Sequence, residues 1–500
     1  MIGAEKKPTE KLFYYNLNLE KRIPKDHILR RVAQVVDFGF VRKKVARFYG
    51  YNGHQSEDPI VLMKLMFLLF FENVKSEREL LRILPMRLDW LWFLGLDLDS
   101  EVPHHSVLSK ARKRWGAAVF EELFVHVVRR CVEAGLVEGS KIHMDGSLVD
   151  ADASQKSVMS GGEELIEALK RSYGEQERKL EAVDEEKAAG EYQKKNRKLV
   201  SRTDPDAALV KQSRRSHSQP RYKNHRAVDD ARGVITAVET TSGDVEENRE
   251  LKSLYRQHGR HTGVEADTVV ADSQYGTNEN FAWCGGRGVR AHMGDVVANR
   301  SSSVFGADQF TWDETEDCYW CPAGQALTRA QVKKSGKRKR WVYRAPAQVC
   351  RNCELRSQCT RKQRGARRLY RYARQDEMDR ARAQSHSRQA YQDRLRRRHL
   401  MEGSFADAAN NHHFKRSRWR RLERQRMQDY LIAACQNIRI LLRYTPHQMA
   451  GVAVTAFSAV FALSTRLWRH LRARFLAFWV DSLSDQSNVP LSSATTGESI

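Results

Sequence analysis

Residues 142–149 of this chain, which read IHMDGSLV, decide the fold of the segment around them. Apolar and polar residues alternate with a period of two about Asp145-Gly146, which is typical of a β-strand with one buried face. Asp-Gly between apolar residues is also a common hairpin turn. The sequence therefore predicts a strand or a hairpin here, with Asp145 ending or turning the first strand.

Stretches further along the chain predict more strands and then helices. Residues 222–241 contain two β-like segments on either side of a turn signal at residues 229–233. Residues 268–271 form a short apolar strand that ends at Asp272. Apolar residues recur at helical spacing over residues 394–442. Strands followed by helices, with long inserts between them, predict a mixed α/β unit.

The N-terminal region predicts only helices. Asp58-Pro59 supplies an N-cap and a first-turn proline, and residues 76–79 form a capping box. The run 60–71 is apolar except for Lys64, is too short to span a bilayer and is therefore expected to be a buried helix. Residues 1–10 lack the apolar segment of a signal peptide, so no export signal is expected.

Positive charge is concentrated in one part of the chain. The 500 residues include 86 Lys and Arg against 62 Asp and Glu, a formal net charge of +24. Residues 331–430 alone contain 30 basic and nine acidic residues, an excess of 21. Such a zone indicates a phosphate-binding surface, because Lys and Arg bind polyanions by displacing counterions. A solvated basic surface without a partner is the alternative. A hydrophobic fraction of 41% with 30% charged residues excludes a membrane protein and a wholly disordered chain.

Three carboxylates have positions suited to phosphoryl transfer. Asp145 lies in the first predicted strand, Asp272 follows a buried strand, and Glu402 lies on a late helix. Hard oxygen ligands hold Mg²⁺ or Mn²⁺, and two such ions about 3.5–4 Å apart assist both attack and departure at phosphorus. Each residue also has a purely structural interpretation: a turn for Asp145, an N-cap for Asp272 and a solvated helix face for Glu402.

Five of the eight cysteines cluster in one insert, residues 310–365. Cys318-x-x-Cys321 and Cys350-x-x-Cys353 are two knuckle-type pairs separated by 28 residues, and Cys359 follows them. Tetrahedral Zn²⁺ takes four thiolates, so the two pairs are expected to bind one structural zinc ion, with Cys359 as the alternative ligand. Reduced cysteines without metal are the other interpretation.

Several blocks of this sequence resemble bacterial insertion-sequence transposases of the DDE type. The blocks occur in the order of that family, and the resemblance extends from about Pro24 to Leu442. An isolated block would be unspecific, whereas the ordered set is specific. The blocks are Glu79-Leu80, Trp92–Leu96, Pro103–Ser106, His143–Ser147, Thr203–Ala207, Tyr222–His225 with Val228-Asp229, Asp272–Gly276, Glu402–Ala406 and Gln436–Ile438.

The resemblance implies an RNase H-like mixed sheet flanked by helices, preceded by an all-α N-terminal domain and carrying a zinc-ribbon-like cysteine insert. It implies that Asp145, Asp272 and Glu402 form a catalytic triad that binds Mg²⁺ or Mn²⁺ in a two-metal site. The reaction would be hydrolysis at the ends of a mobile element to release a 3′-OH, which then attacks target DNA. The neighbouring Asp150 and Asp152 would be structural or would support the ligands.

The resemblance also implies the partners. These are double-stranded DNA, as the element's terminal inverted repeats and the target, and a second copy of the chain, since two ends are cut together. No membrane partner is expected, and the location would be the bacterial cytoplasm, at the nucleoid. The residues expected to contact DNA are Tyr391, Arg394, Arg396, Arg397, Arg398, Lys415, Arg416 and Arg418.

The predicted domain organisation follows from these signals. A helical DNA-binding or assembly domain covers residues 1–135, and the catalytic domain covers residues 136–445. The catalytic domain carries a charged helical insert at residues 155–220 in addition to the cysteine-rich insert. A C-terminal tail, residues 446–500, falls outside the resemblance and predicts a basic amphipathic helix followed by a Ser- and Thr-rich end.

Two departures from the family pattern keep other functions open. Ala409 stands where relatives often have Lys or Arg, and Arg420-Arg421-Leu422 stands where they tend to have Arg-Gly. The alternatives are a non-catalytic, zinc-containing DNA-binding protein derived from a transposase, and an RNase H-like nuclease that cuts DNA without joining it.

Overall fold

The computed structural model describes residues 18–50, 56–180, 199–213, 215–294, 304–335, 338–362 and 365–445. The described residues up to 441 belong to one compact unit, and residues 442–445 belong to a second. The helix predicted in the tail after residue 445 and the middle of the charged insert, residues 181–198, lie outside the described residues.

Within its described residues, the N-terminal region is all-α, as predicted. Its helices are α1 (Leu19–Arg22), α2 (Ile28–Val35), α3 (Phe40–Val45), α4 (Pro59–Phe71), α5 (Glu77–Ile83), α6 (Leu88–Leu94), α7 (His105–Trp115) and α8 (Ala117–Glu133). Helix α4 is apolar except for Lys64 and is buried for that reason. Asp58 caps it by accepting a hydrogen bond from the Ile60 amide at 3.0 Å, and Ser76 caps α5 in a similar way. Among the described residues, no helix combines the length and the hydropathy needed to cross a bilayer.

From residue 141 onward strands and helices mix, which confirms the α/β class. In chain order they are β1 (Lys141–Asp150), β2 (Val158–Ser160), α9 (Glu163–Leu180), β3 (Leu199–Ser201), β4 (Ala208–Val210), β5 (Gln219–Asp229), β6 (Ile235–Ser242), α10 (Leu251–Thr262), β7 (Thr268–Ala271), α11 (Asn278–Gly285), β8 (Arg290–Met293), β9 (Thr311–Asp313), β10 (Cys318–Trp320), β11 (Ala326–Ser335), β12 (Arg338–Arg344), α12 (Ala347–Arg351), α13 (Arg356–Cys359), β13 (Arg368–Tyr372), α14 (Gln375–Ser385), α15 (Arg388–His412) and α16 (Leu422–Tyr444).

A six-stranded mixed sheet forms the centre of the fold. Its strands run in the order β4-β5-β1-β7-β8, and β6 also pairs with β5. Strands β1, β7 and β8 are parallel, whereas β5 is antiparallel to β1, β4 and β6. Helix α10 packs on β6, α11 and α14 pack on β8, and α15 lies against β1, β7 and β8. This is the mixed sheet flanked by helices that the resemblance implies.

Strand β1 runs through Asp145-Gly146 without a turn, so the hairpin alternative for this segment is wrong. The strand is held on both sides, by β5 and by β7. The hairpin predicted at residues 229–233 does form between β5 and β6, and Gly233 takes the positive φ of 74° that this turn needs. The strand predicted at residues 268–271 matches β7.

The two inserts have separate structures. The charged insert contains α9 and the short antiparallel pair β2–β3. The cysteine-rich insert is an antiparallel sheet in the order β13-β12-β11-β10-β9, with α12 and α13 beside it. Its apolar core includes Phe310, Tyr319, Leu327, Tyr343 and Leu369.

Candidate active site

Asp145 and Asp272 lie close together because β1 and β7 are neighbouring parallel strands. The register pairs His143 with Val270, and the two aspartates stand two residues further along. Asp272 directly follows β7, and one of its oxygen atoms accepts a hydrogen bond from the Gln274 amide at 2.9 Å. Asp272 therefore caps the short 3₁₀ turn that follows β7, and its second carboxylate oxygen remains for another role.

A third carboxylate, that of Glu247, completes the group. Glu247 begins a short 3₁₀ turn after β6 and is only 9% exposed. One oxygen atom from each of Asp145, Glu247 and Asp272 lies within 4.8 Å of the other two. Gly146 makes this approach possible, since a Cβ atom there would stand 2.9 Å from the carboxyl carbon of Glu247.

Burial makes the negative charge of this carboxylate group costly. Burial raises the pKa of Asp145, while Arg397 lowers it and Asp272 adds a smaller rise. Burial likewise raises the pKa of Glu247, and Lys223, with its Nζ 3.5 Å from a Glu247 oxygen, opposes that rise. Three hard oxygen donors this close suit a divalent cation such as Mg²⁺ or Mn²⁺, which would offset their charge.

Glu402 does not belong to this group. It is exposed on α15 and directly follows the buried Met401. Arg397 of the same helix does reach the group, and Glu402 lies five residues later, about 140° further around the helix axis. The structure therefore brings Asp145 and Asp272 together and supplies Glu247, rather than Glu402, as their neighbour.

Glu247 is not among the residues predicted from the sequence. The residue is one of several acids in residues 244–250, and nothing in its spacing separates it from a solvated turn. A carboxylate just beyond a predicted strand was the available signal, and it was weak. Only the pairing of the β5–β6 hairpin with β1 places this turn beside Asp145.

Helix α15 brings positive charge to the carboxylates. Arg397 Nη1 lies 2.7 Å from Asp145 Oδ2. Arg396 pairs with an aspartate in the β5–β6 turn and is about half exposed, while Arg398 and Tyr391 are exposed. One helix thus supplies a cation to the carboxylates and an exposed basic and aromatic surface beyond them.

The other residues expected to contact DNA differ in exposure. The Arg416 side chain is 72% exposed, and Lys415 is also exposed. Arg394 donates a hydrogen bond to a backbone carbonyl at 2.7 Å. Arg418 lies over the ring of Phe70 in α4, and burial lowers its pKa to about 10. Arg418 therefore joins the N-terminal helices to the segment after α15.

The cysteine-rich insert brings four of its five cysteines to one small cavity of about 30 Å³. Cys321, Cys350, Cys353 and Cys359 line this cavity. Cys318, expected to be a ligand, is buried within β10 and is not among the lining residues. The two predicted pairs are therefore not the set that the structure brings together, and Cys359 takes the place of Cys318.

Two family models match this chain. One, a transposase domain (DUF772), matches residues 17–114 in the N-terminal helical region. The other, a transposase DDE domain, matches residues 320–442, from the cysteine-rich insert to α16. These are the domains of a DDE transposase. The function that they support is DNA transposition, and the carboxylate group of this transposase is consistent with a DDE catalytic site that depends on divalent metal.

One solved structure, the piggyBac transposase synaptic complex with hairpin DNA, aligns with 99% of this transposase and 90% of its own chain. The identity is 10% and the TM-score is 0.33. No curated protein matches the chain at a significant level.

Proposed function

We propose that this transposase cuts DNA at the ends of an insertion sequence and joins the released 3′ ends to target DNA. The observation that carries the proposal is the group of Asp145, Glu247 and Asp272, with the basic helix α15 beside it. Cleavage of a phosphodiester by this route needs acidic ligands for divalent ions and a cationic surface for the DNA backbone. Both features occur together here.

The three carboxylates would hold the divalent ion, Mg²⁺ or Mn²⁺. When bound, a pair of such ions supplies an activated water and stabilises the leaving oxygen. The family resemblance assigns the third ligand position to Glu402, which stands on the helix that reaches Asp145. The geometry favours Glu247 as a ligand in the DNA-free protein. Glu247 and Glu402 should therefore be mutated separately.

Arg397 would have two roles. Its guanidinium offsets the charge of Asp145, and the same side chain can donate to a DNA phosphate when a cation occupies the carboxylates. The exposed residues Tyr391, Arg398, Lys415 and Arg416 would lie along the DNA backbone, together with the half-exposed Arg396. Arg394 and Arg418, which are engaged within the protein, would instead hold their segments in place.

Three further features belong to the same proposal. The substrate would be the terminal inverted repeats and target DNA of a bacterial nucleoid. A second copy of the chain would take part, because two ends are cut and joined together. A structural zinc ion would stabilise the cysteine-rich insert and take no part in the reaction.

Cleavage of DNA carrying the element's ends, in Mg²⁺ or Mn²⁺, tests the chemistry. Asp145→Asn should lower the cleavage rate by about 100-fold or more, which corresponds to about 3 kcal/mol. DNA affinity should change little, because Asp145 makes no contribution to the cationic surface. Asp267→Asn is the matched control and should keep cleavage, because Asp267 is exposed and directly precedes β7, at the opposite end of that strand from Asp272. Glu247→Gln and Glu402→Gln should be compared for Mn²⁺ affinity without DNA, where only the first is expected to weaken binding.

The same assay separates the alternatives. Cleavage that survives Asp145→Asn would overturn the proposed site. DNA binding by the wild-type protein without any cleavage would indicate a non-catalytic DNA-binding protein. Cut ends without a joined product would indicate a simple nuclease.

A further inference from the structure

The cysteine-rich insert contains a cluster of metal-ligating side chains that is separate from the carboxylates. The small cavity lined by Cys321, Cys350, Cys353 and Cys359 has a volume of about 30 Å³. Three of these cysteines also pack against the apolar core of the insert's sheet. A cavity of this size is large enough for a single ion or water molecule.

The alternation of side chains along β10 explains why Cys318 stands apart. Successive residues of a strand point to opposite faces of the sheet. Tyr319 belongs to the apolar core that Cys321 also touches, whereas Cys318 belongs to neither that core nor the cavity lining. Burial raises the pKa of Cys318, and the neighbouring acidic side chains, not other cysteines, raise it further. An acidic neighbourhood disfavours a thiolate.

Cys359, in contrast, is surrounded by the other three cysteines. Cys359 ends α13 and lines the same cavity as Cys321, Cys350 and Cys353. With Cys321 and Cys350 it also packs against the apolar core of the insert's sheet. The cavity lining and the core contacts therefore place Cys359, and not Cys318, with the other three cysteines.

Donors and cations are placed around these sulfur atoms. The Gln325 amide donates to Cys321 Sγ at 3.3 Å, in a turn closed by Gly324 with φ of 68°. Arg356 and Arg367 both line the cavity. The Nε of Arg367 is buried and has no hydrogen-bond partner within the described part of the chain. A cation surrounded by four thiolates carries net negative charge, which these two arginines would offset.

We propose that Cys321, Cys350, Cys353 and Cys359 bind one structural Zn²⁺ ion, and that Cys318 is not a ligand. The inference rests on the zinc ion of the proposed function and names its ligands. Within the described residues, the carboxylates alone form a group of three or more potential ligands within 4.8 Å of one another. The four sulfur atoms therefore stand further apart than in a closed site, and cysteine side-chain rotation would bring them onto the ion.

Zinc content and affinity of the purified full chain test this ligand set. We expect one zinc ion per wild-type chain by elemental analysis, and an affinity that competition with a chelator can measure. Cys318→Ser should keep both the stoichiometry and the affinity. Cys359→Ser should weaken the affinity by at least about tenfold, because a structural zinc site needs all four ligands. Replacement of zinc by Co²⁺ gives a second readout, since the sulfur-to-cobalt charge-transfer band scales with the number of thiolates.

The outcomes are distinct. If Cys359→Ser fails to fold, Cys359→His, which retains a zinc ligand, should restore folding and zinc together. Zinc that is lost in Cys318→Ser and kept in Cys359→Ser would overturn the ligand set. A wild-type chain that contains no zinc would overturn the proposal that the insert binds a zinc ion. Neither result alters the test of the carboxylates, which is read by DNA cleavage.

Discussion

Gly146 and Glu247 meet so closely that one added methyl group tests the carboxylate site. A Cβ at residue 146 would stand 2.9 Å from the carboxyl carbon of Glu247, at the far end of a flexible side chain. We expect Gly146→Ala to move that carboxylate and to weaken Mn²⁺ binding by about tenfold, about 1.4 kcal/mol, without unfolding β1. Titration calorimetry on DNA-free protein measures the effect.

Gly162→Ala is the control for that substitution, because nothing lies within 4 Å of a Cβ at that position. It should leave Mn²⁺ affinity unchanged. Equal affinities for the wild type and Gly146→Ala would show that Glu247 is not a ligand.

Asp204 should make the stability of the fold depend on pH. The residue is buried and accepts a hydrogen bond from the Tyr222 hydroxyl at 2.6 Å, while its other oxygen has no partner among the described residues. Burial raises its pKa to about 7 from an ordinary value of 3.8. Between these pH values the unfolded chain is ionised and the folded chain keeps the proton. The contribution of Asp204 to stability therefore falls as pH rises from about 4 to about 7.

Asp204→Asn removes this titration, because an amide does not ionise in that range. The free energy of unfolding of the variant should then depend less steeply on pH between about 4 and 7. Urea unfolding at several pH values measures the slope. If Asp204→Asn leaves the slope unchanged, the ionisation of Asp204 does not cause the pH dependence of stability.

At the scale of secondary-structure elements, the connection between α15 and α16 has an unusual conformation. Arg421 has a φ of 81°, the left-handed region that favours glycine, at the place where relatives tend to carry Arg-Gly. Its side chain compensates by donating a hydrogen bond to Asp206 at 2.9 Å. The Asp206 carboxylate also accepts from the Leu422 amide, so it caps the start of α16.

Arg421→Gly and Arg421→Ala separate backbone strain from the ion pair. Both variants lose the contact with Asp206, but only glycine removes the cost of the left-handed conformation, about 1 kcal/mol. We expect the glycine variant to be more stable than the alanine variant by about that amount in urea unfolding. At Arg420, where φ is not positive, the glycine variant should not be more stable than the alanine variant. If the two variants at Arg421 are equally stable, the left-handed conformation there is not strained.

Elements whose sequences contain their own stop signals were predicted well. Helix α4 has its Asp58 cap and its proline, and the β5–β6 hairpin has Gly233. Residues at the boundaries of these elements therefore determine where the helix begins and where the hairpin turns. Strand β1 is different, because Asp145-Gly146 suits both a turn and a strand. Pairing with β5 on one side and β7 on the other determines the outcome there, and neither partner is close in sequence.

At the scale of the whole molecule, several blocks of the family resemblance hold the site in place. Arg226 of β5 is fully buried, and its guanidinium lies against the rings of both Phe405 and Phe414. Its Nη1 donates to Gln436 Oε1 at 2.8 Å, while Asn437 bonds with the backbone of Ile235. These contacts connect the central sheet to α15 and α16, so the blocks around residues 222 and 436 position the site.

The basic zone should determine how DNA affinity depends on salt. Arg398→Ala removes an exposed cation of α15, so the slope of log affinity against log salt should become shallower by about 0.9 if one phosphate contact is lost. Arg290→Ala is the matched control, because Arg290 is exposed at the opposite end of the parallel strands from Asp272. DNA binding measured at several salt concentrations gives both slopes. Equal slopes for Arg398→Ala and the wild type would place the DNA elsewhere.

The sequence by itself determined the α/β class, the helical N-terminal region, two of the three clustered carboxylates and the cysteine-rich insert. These depend on local periodicity, caps and motif spacing, which short-range physics fixes. The tertiary structure decided that Glu247 joins Asp145 and Asp272, that Glu402 is exposed, and that Cys359 rather than Cys318 lines the cavity. Each of these depends on strand pairing or on the face to which a side chain points, and contacts between distant residues set both.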